Sequence, residues 1–368
     1  MMNLSKAVVS KISMSLKTPF HTSLGTVSDR EGLIVELFDD KGDCGLGEGV
    51  AFSSPWYTEE TVESSLSVIS NHLLPLLFES DITYPEQLEG VFHSVRGNPM
   101  AKAAVDMAVW DLYAKQHHKP LTDLIGASRS EALAGVAIGS KDLDDLLQQA
   151  EQAVAQGYQR IKVKIRPGYD LKPLRTLREN FPDIAILADA NSAYSGFEDD
   201  LLKLDDLGLQ MIEQPFSPDD LARHAEIQRV MKTPICLDES ITSYETAVNA
   251  ITFKSCRVIN VKIGRVGGIT AAKKIHDLCL EHDIQVWCGG MLEFGVSRAH
   301  NVVLSLLPGF TIPGDLSSSD RYWTRDITVP ELVVEHGTVK PFEGNGIGVE
   351  LDRERLDEVT ISRFEYKK

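Results

Sequence analysis

Five charged residues recur at nearly constant spacing, each closing a short apolar run: Lys164, Asp189, Glu213, Asp238 and Lys262 are separated by 25, 24, 25 and 24 positions. Three carboxylates brought together repel one another unless a cation sits among them. Oxygen-only donors favour a hard divalent ion, Mg²⁺ with Mn²⁺ as a substitute, over zinc. An isolated acid after a strand also serves as a helix N-cap, but three in phase argue for Asp189, Glu213 and Asp238 as metal ligands. Lys162 and Lys164 are two apart on one strand and point to the same side. Ammonium groups about 6 Å apart, at an effective dielectric of about 20, repel by roughly 3 kcal/mol, which would leave one of the pair partly neutral and able to act as a base. Lys164 keeps the period and is the expected base; Lys162 lies one layer deeper and adjusts it. Lysines on opposite faces of a metal-held substrate suit removal of a proton α to a carboxylate, with enediolate stabilisation. For Lys262 an ion pair with a neighbouring acid is the competing reading, and Arg265 could shift its basicity either way.

The period itself describes what must position these groups. A strand of about five residues, a helix of about ten to fifteen and two short loops fill it, so each charge falls at the same place in successive βα units. The ruler extends back to Gly139, after the run Gly135-Val136-Ala137-Ile138, and forward to Trp287 and near Ile312. Eight such strands predict a closed α/β barrel, which carries its chemistry at the C-terminal strand ends. On that ring Lys262 stands diametrically opposite Lys164. Helices are expected at Leu143–Ala155, Leu221–Met231 and Thr270–Glu281.

The barrel leaves much of the 368-residue chain over. Ala7–Ile12, Gly32–Phe38 and a return ending at Gly47-Glu48 read as an antiparallel meander. Helical spacing follows at Val62, Leu66, Ile69 and Leu73, then at Ala103, Ala104, Met107, Ala108 and Trp110. These predict an N-terminal α+β domain over residues 1–126, a barrel over 127–326, and a β-rich segment over 327–368 that returns to the first domain. A net charge of -17 disfavours nucleic acid and anionic membranes as partners and leaves a small-molecule carboxylate substrate fully compatible. With no apolar run long enough to span a bilayer and no signal-peptide core, the expected location is cytoplasmic. Five cysteines without a Cys-x-x-Cys pair suggest buried thiols. Assembly into a homo-oligomer is left open.

Taken together, Lys162-x-Lys164, Asp189-Ala190-Asn191, Glu213-Gln214-Pro215, Asp238-Glu239-Ser240 and Asn260-Val261-Lys262 resemble the enolase superfamily, in its double-lysine, muconate-cycloisomerase-like subgroup. Thr18-Pro19-Phe20, Gly47-Glu48-Gly49 and the helix Ala103–Leu112 extend the resemblance over nearly the whole chain. Gly289-Gly290-Met291-Leu292-Glu293 and Gly314–Trp323 are similar to the o-succinylbenzoate synthase and N-succinylamino acid racemase branch. Dipeptide epimerases usually carry Asp-x-Asp where this chain has Gly289-Gly290-Met291. The mandelate racemase subgroup has a His-Asp pair in place of Lys262.

The resemblance implies a (β/α)7β barrel under a capping domain and a Mg²⁺-dependent carbon-oxygen lyase of menaquinone synthesis. Lys164 would take the proton α to the carboxylate of a cyclohexadiene acid, and the β-hydroxyl would leave as water to give o-succinylbenzoate. The alternative is N-succinylamino acid racemisation, in which Lys164 and Lys262 both exchange protons. A barrel that binds ligand without chemistry is the distant third. Asn191, Glu239, Gly290, Met291, Phe20, Tyr57 and Tyr322 would support or wall the substrate site. The branch often has Ser near Ala137 and a small residue in place of Phe294, so both positions would make this pocket more apolar.

Overall fold

The computed structural model describes residues 2–22, 25–140 and 142–367; the side chains of residues 20–22, 25 and 26, including the expected pocket wall Phe20, lie outside that description. Strands β1 (Leu4–Thr22), β2 (Gly25–Asp39) and β3 (Cys44–Gly49) form the expected meander. A late strand, β11 (Thr360–Lys367), pairs antiparallel with the outer side of β1, giving the order β11-β1-β2-β3. Alternation along β2 explains why its central stretch is buried on both faces. Leu33, Val35 and Leu37 join a core with the capping helices, whereas Ile34 and Leu46 join the core shared with the barrel.

Helix α1 (Pro99–Gln116) lies between the two cores. It is buried nearly all round, with Ala104, Ala108 and Leu112 in one cluster and Ala103, Met107 and Trp110 in the other. Small residues let β3 press onto it. A Cβ at Gly47 would lie 1.9 Å from the Ala104 carbonyl oxygen, so only glycine fits. The helical run from Val62 departs from the regular spacing expected of it: Ile69–Leu73 is a π turn, with Leu74 N bonding to Ile69 O. Pro75 has no N–H to continue the α pattern, and the wider turn absorbs the break.

Seven parallel strands follow in sequential order: β4 (Gly135–Ile138), β5 (Arg160–Lys164), β6 (Ala185–Asp189), β7 (Met211–Glu213), β8 (Ile235–Leu237), β9 (Val258–Val261) and β10 (Gln285–Cys288). The eighth, expected near Ile312, is a bridging segment and not a full strand. Asp315 N bonds to Cys288 O at 2.8 Å and Gly135 N to Gly314 O at 2.7 Å, which closes the ring. The expected helices appear as α2 (Leu143–Ala155), α3 (Leu221–Val230) and α4 (Ile269–Glu281), and α5 (Gly295–Ser305) follows β10.

Register explains the period. Lys164, Asp189 and Glu213 are direct lateral partners, while Cys236 pairs with both Glu213 and Val258, so Asp238 stands two residues and Lys262 four residues farther along their strands. An advance averaging about one residue per strand is the shear of an eight-stranded barrel, which keeps the charges at one height. Below them Leu187, Met211, Cys236, Val258, Trp287 and Ile312 fill the interior. Trp287 and Ile312, reached by the same ruler, therefore form the floor. Cys236 is one of four buried free cysteines; Cys44 is partly exposed.

Candidate active site

At the C-terminal ends of the strands a cavity of about 310 Å³ opens beneath the capping domain. Its lining includes Lys162, Lys164, Asp189, Asp238 and Lys262. Asn191, Glu239, Gly290, Met291, Tyr57 and Tyr322 also reach it. Glu213 is fully buried and lies under the cavity, outside its wall. Positive φ angles at Asn191 (40°), Gln214 (42°) and Leu292 (55°) sit in turns just past these strands. Non-glycine residues held there mark local strain of the kind that collects at binding sites.

The charges interlock. Lys162 Nζ lies 2.7 Å from Glu213 Oε2, 3.1 Å from Asp189 Oδ2 and 4.0 Å from Asp315 Oδ2. This corrects the expectation that repulsion from Lys164 would weaken its hold on a proton. Burial does oppose the charge on Lys162, but Asp189 and Glu213 outweigh it, and its pKa is well above the ordinary lysine value. Lys164 Nζ lies 3.4 Å from Asp189 Oδ2 and donates to Asn191 Oδ1, whose amide reaches Glu239 Oε1 at 3.4 Å.

Across the ring, Lys262 Nζ donates to Asp238 Oδ2 at 2.9 Å and to Tyr57 Oη at 2.8 Å. Arg265, which the sequence left undecided, donates to the other oxygen of Asp238 and to Tyr57 Oη. Burial alone would raise the Asp238 pKa; Arg265 and Lys262 reverse that and hold it far below the carboxylate range. The same Asp238 raises the pKa of Lys262 against its burial. The two competing readings of Lys262 thus coexist: it faces the cavity and is paired with an acid.

Among the described residues at the site, the carboxylate oxygens Glu213 Oε2 and Glu239 Oε2 and the amide oxygen Asn260 Oδ1 are buried without a hydrogen bond. Glu213 Oε2 is close to Lys162, but the contact is an ion pair whose angle does not make a hydrogen bond. Burial pushes the Glu213 carboxyl up to about 8 and the Glu239 carboxyl up to about 7. Among the described residues no three acidic, His or Cys groups converge as a ready metal cage. Lys162 lies between Asp189 and Glu213, while Asp238 faces Lys262 and Arg265. The donor chemistry nonetheless fits a hard divalent cation, because the buried orphan oxygen of Glu213 belongs to an all-oxygen acidic set.

Residues 145–355 match the family described as "Enolase C-terminal domain-like", and residues 5–126 match the "Mandelate racemase / muconate lactonizing enzyme, N-terminal domain". The chain belongs to the enolase superfamily. Among enolase-superfamily relatives it is 49% identical to an o-succinylbenzoate synthase of Geobacillus kaustophilus, over 97% of this chain and 96% of that protein. It is 43% identical to an N-succinylamino acid racemase of Thermus thermophilus, over 98% of each chain. An enolase-superfamily crystal structure from Listeria innocua superposes with a TM-score of 0.97 at 42% identity, covering 100% of both chains.

One reading of the superfamily pocket changes. Phe294 is fully buried and does not line the cavity; its ring lies 5.0 Å from that of Trp323 and fills the space left by Gly32, where a Cβ would meet it at 2.8 Å. Ala137 does line the cavity. The sequence reading quoted but gave no role to Asn260, whose amide donates to Glu213 Oε1 at 2.9 Å, and Asp315, which pairs with Arg160 at 2.7 Å. Asn260 was findable, since it shares a strand face with Lys262 two residues on. Trp56 and Arg298 also line the cavity and carried no such signal.

Proposed function

We propose that this protein is a divalent-cation-dependent o-succinylbenzoate synthase. The observation that carries the reading is the placement of Lys164 and Lys262 at one cavity with Asp189 and Asp238 in its wall and Glu213 beneath. Curated relatives of that name at 43–49% identity supply the substrate class. Asp189, Glu213 and Asp238 would hold Mg²⁺, or Mn²⁺ in its place. A bound divalent ion supplies positive charge to the substrate carboxylate as its α-carbon loses a proton.

Lys164 Nζ takes that α-proton. The C–H electron pair becomes the ring double bond as the β-carbon–oxygen bond breaks, and the proton held by Lys164 leaves with the hydroxyl as water. Lys262 contributes charge from the opposite face without moving a proton. Lys162 lies between Asp189 and Glu213 and favours the charged form of each, and Asn191 orients Lys164.

N-succinylamino acid racemisation is the second reading, favoured by relatives so named at 43% and 40% identity and by Lys262 facing the same cavity. It requires proton transfer by both lysines. Incubation of the purified protein with the cyclohexadiene acid, followed at the absorbance of o-succinylbenzoate, tests the first reading; no conversion overturns it. Exchange of α-deuterium into an N-succinylamino acid tests the second.

A further inference from the structure

Arg298 is a buried cation that the fold leaves incompletely paired. It projects from α5 into the cavity wall and is only 4% exposed. Its Nε donates to Glu293 O at 2.9 Å and its Nη1 to Ser317 O at 2.6 Å, while the Tyr322 ring lies 4.8 Å from the guanidinium carbon. Among the described residues neither a hydrogen bond to Nη2 nor an ion pair to the guanidinium is formed.

The other buried cations around the site differ. Arg160, Lys162, Lys262 and Arg265 each have a carboxylate partner. Arg30 has no ion pair either, but its nitrogens are used on the carbonyls of Glu31, Val50, Ala51 and Leu292, and it does not line the cavity. The Glu293 carboxylate, also in the cavity wall, lies near enough to interact electrostatically with Arg298 but makes no ion pair with it, so among the described residues the guanidinium has no carboxylate in direct contact. A cavity that keeps such a guanidinium in its wall is suited to an anion delivered from the cavity.

Position adds to charge. Arg298 and its two carbonyl partners belong to segments that follow β10 and the closing bridge, and on an eight-membered ring these lie across the mouth from β6 and β7, which carry Asp189 and Glu213. A ligand with one carboxylate at the Asp189 side and a second at the far end of a short flexible arm would bridge the two. Arg298 is held for that role: two nitrogens anchor it to backbone and the Tyr322 ring limits the tilt of its plane, so little side-chain freedom is lost on binding.

We propose that Arg298, through Nη2, receives the remote carboxylate of a dicarboxylate substrate. This rests on the α-proton chemistry proposed above and names the group that selects succinyl-bearing substrates.

The test is equilibrium binding, by calorimetry in Mg²⁺, of o-succinylbenzoate and of 2-butyrylbenzoate, which has a methyl group where the former has its remote carboxylate. Hydrogen bonds to charged groups contribute about 1.5–3 kcal/mol, so wild-type protein should prefer o-succinylbenzoate by about ten- to a hundredfold. Arg298→Met should lose that preference while binding 2-butyrylbenzoate as wild type does, and Arg298→Lys should keep part of it. Equal weakening of both ligands in Arg298→Met would make Arg298 a scaffold residue and overturn the proposal. So would a wild-type protein with no preference, a result that needs no variant to fold. Dehydration without preference refutes the Arg298 assignment alone; preference without dehydration or exchange refutes the proposed function alone.

Discussion

Lys262 Nζ lies 2.8 Å from Tyr57 Oη, so a loop of the capping domain reaches one of the two facing lysines of the barrel. Arg265 donates to the same oxygen at 2.9 Å. The phenol thus ties two barrel cations to the cap. Tyr57→Phe removes an acceptor from both. At about 1.5–3 kcal/mol for a hydrogen bond to a charged group, kcat/KM should fall about ten- to a hundredfold with the melting temperature little changed. Steady-state kinetics alongside thermal melts would measure both; unchanged kinetics would remove Tyr57 from the site.

The two lysines should separate by reaction. Lys164→Ala is expected to lower dehydration by about a hundred- to ten-thousandfold, the usual range for a positioned acid–base group. Lys262→Ala should abolish α-deuterium exchange into an N-succinylamino acid more completely than it lowers dehydration. Equal losses in both assays would mean that Lys262 serves both reactions in the same way.

Metal dependence should follow the carboxylates. Treatment with a chelator is expected to abolish activity and Mg²⁺ to restore it. Glu213→Gln removes the charge of the buried orphan oxygen and should weaken Mg²⁺ binding by about tenfold or more, read by titration calorimetry. Unaltered affinity would show that the ion, if bound, sits elsewhere.

Stability should depend on pH through Glu48. Its carboxylate accepts from Phe294 N at 2.7 Å and Ser297 N at 2.8 Å, joining β3 of the cap to the start of α5. Burial nevertheless raises its pKa from the ordinary 4.5 to about 8. The folded state then holds the proton more tightly than the unfolded state, so this contribution is full below about pH 4.5 and is lost as pH rises toward 8. Glu48→Gln should flatten that part of the profile, seen as urea midpoints at pH 6 and pH 8 that differ less than in wild type.

Close packing gives a further test at β3. Gly47→Ala places a Cβ 1.9 Å from a backbone oxygen of α1, where no side chain can yield. A loss of about 3 kcal/mol or more is expected from chemical denaturation, at the upper end for overpacking. A loss below about 1 kcal/mol would mean the strand and helix part easily.

The barrel was legible because identical βα units repeat both length and register, so Lys164, Asp189 and Glu213 announce themselves as neighbours. The shear that carries Asp238 and Lys262 onward is hidden inside the same period. The eighth strand was visible only as a position, since it closes the ring by isolated bridges that leave no alternation pattern. Lys162 was misjudged because spacing reveals the lysine beside it but not the carboxylates that turn toward it. Phe294 sits in the core because Gly32, distant in sequence, leaves room for its ring. Arg298 lies on a helix buried along its whole length, and nothing local distinguishes its cavity-facing end.

The pairing of β1 with β11 sets Lys6 beside Lys367 in one sheet. During synthesis the barrel strands leave the ribosome while the outer side of β1 still waits for its neighbour, some three hundred and forty residues downstream of β1. The capping sheet is therefore completed only after the barrel strands have been made. A chain lacking Thr360–Lys367 would present an unpaired β1 edge, the kind of edge that recruits other chains.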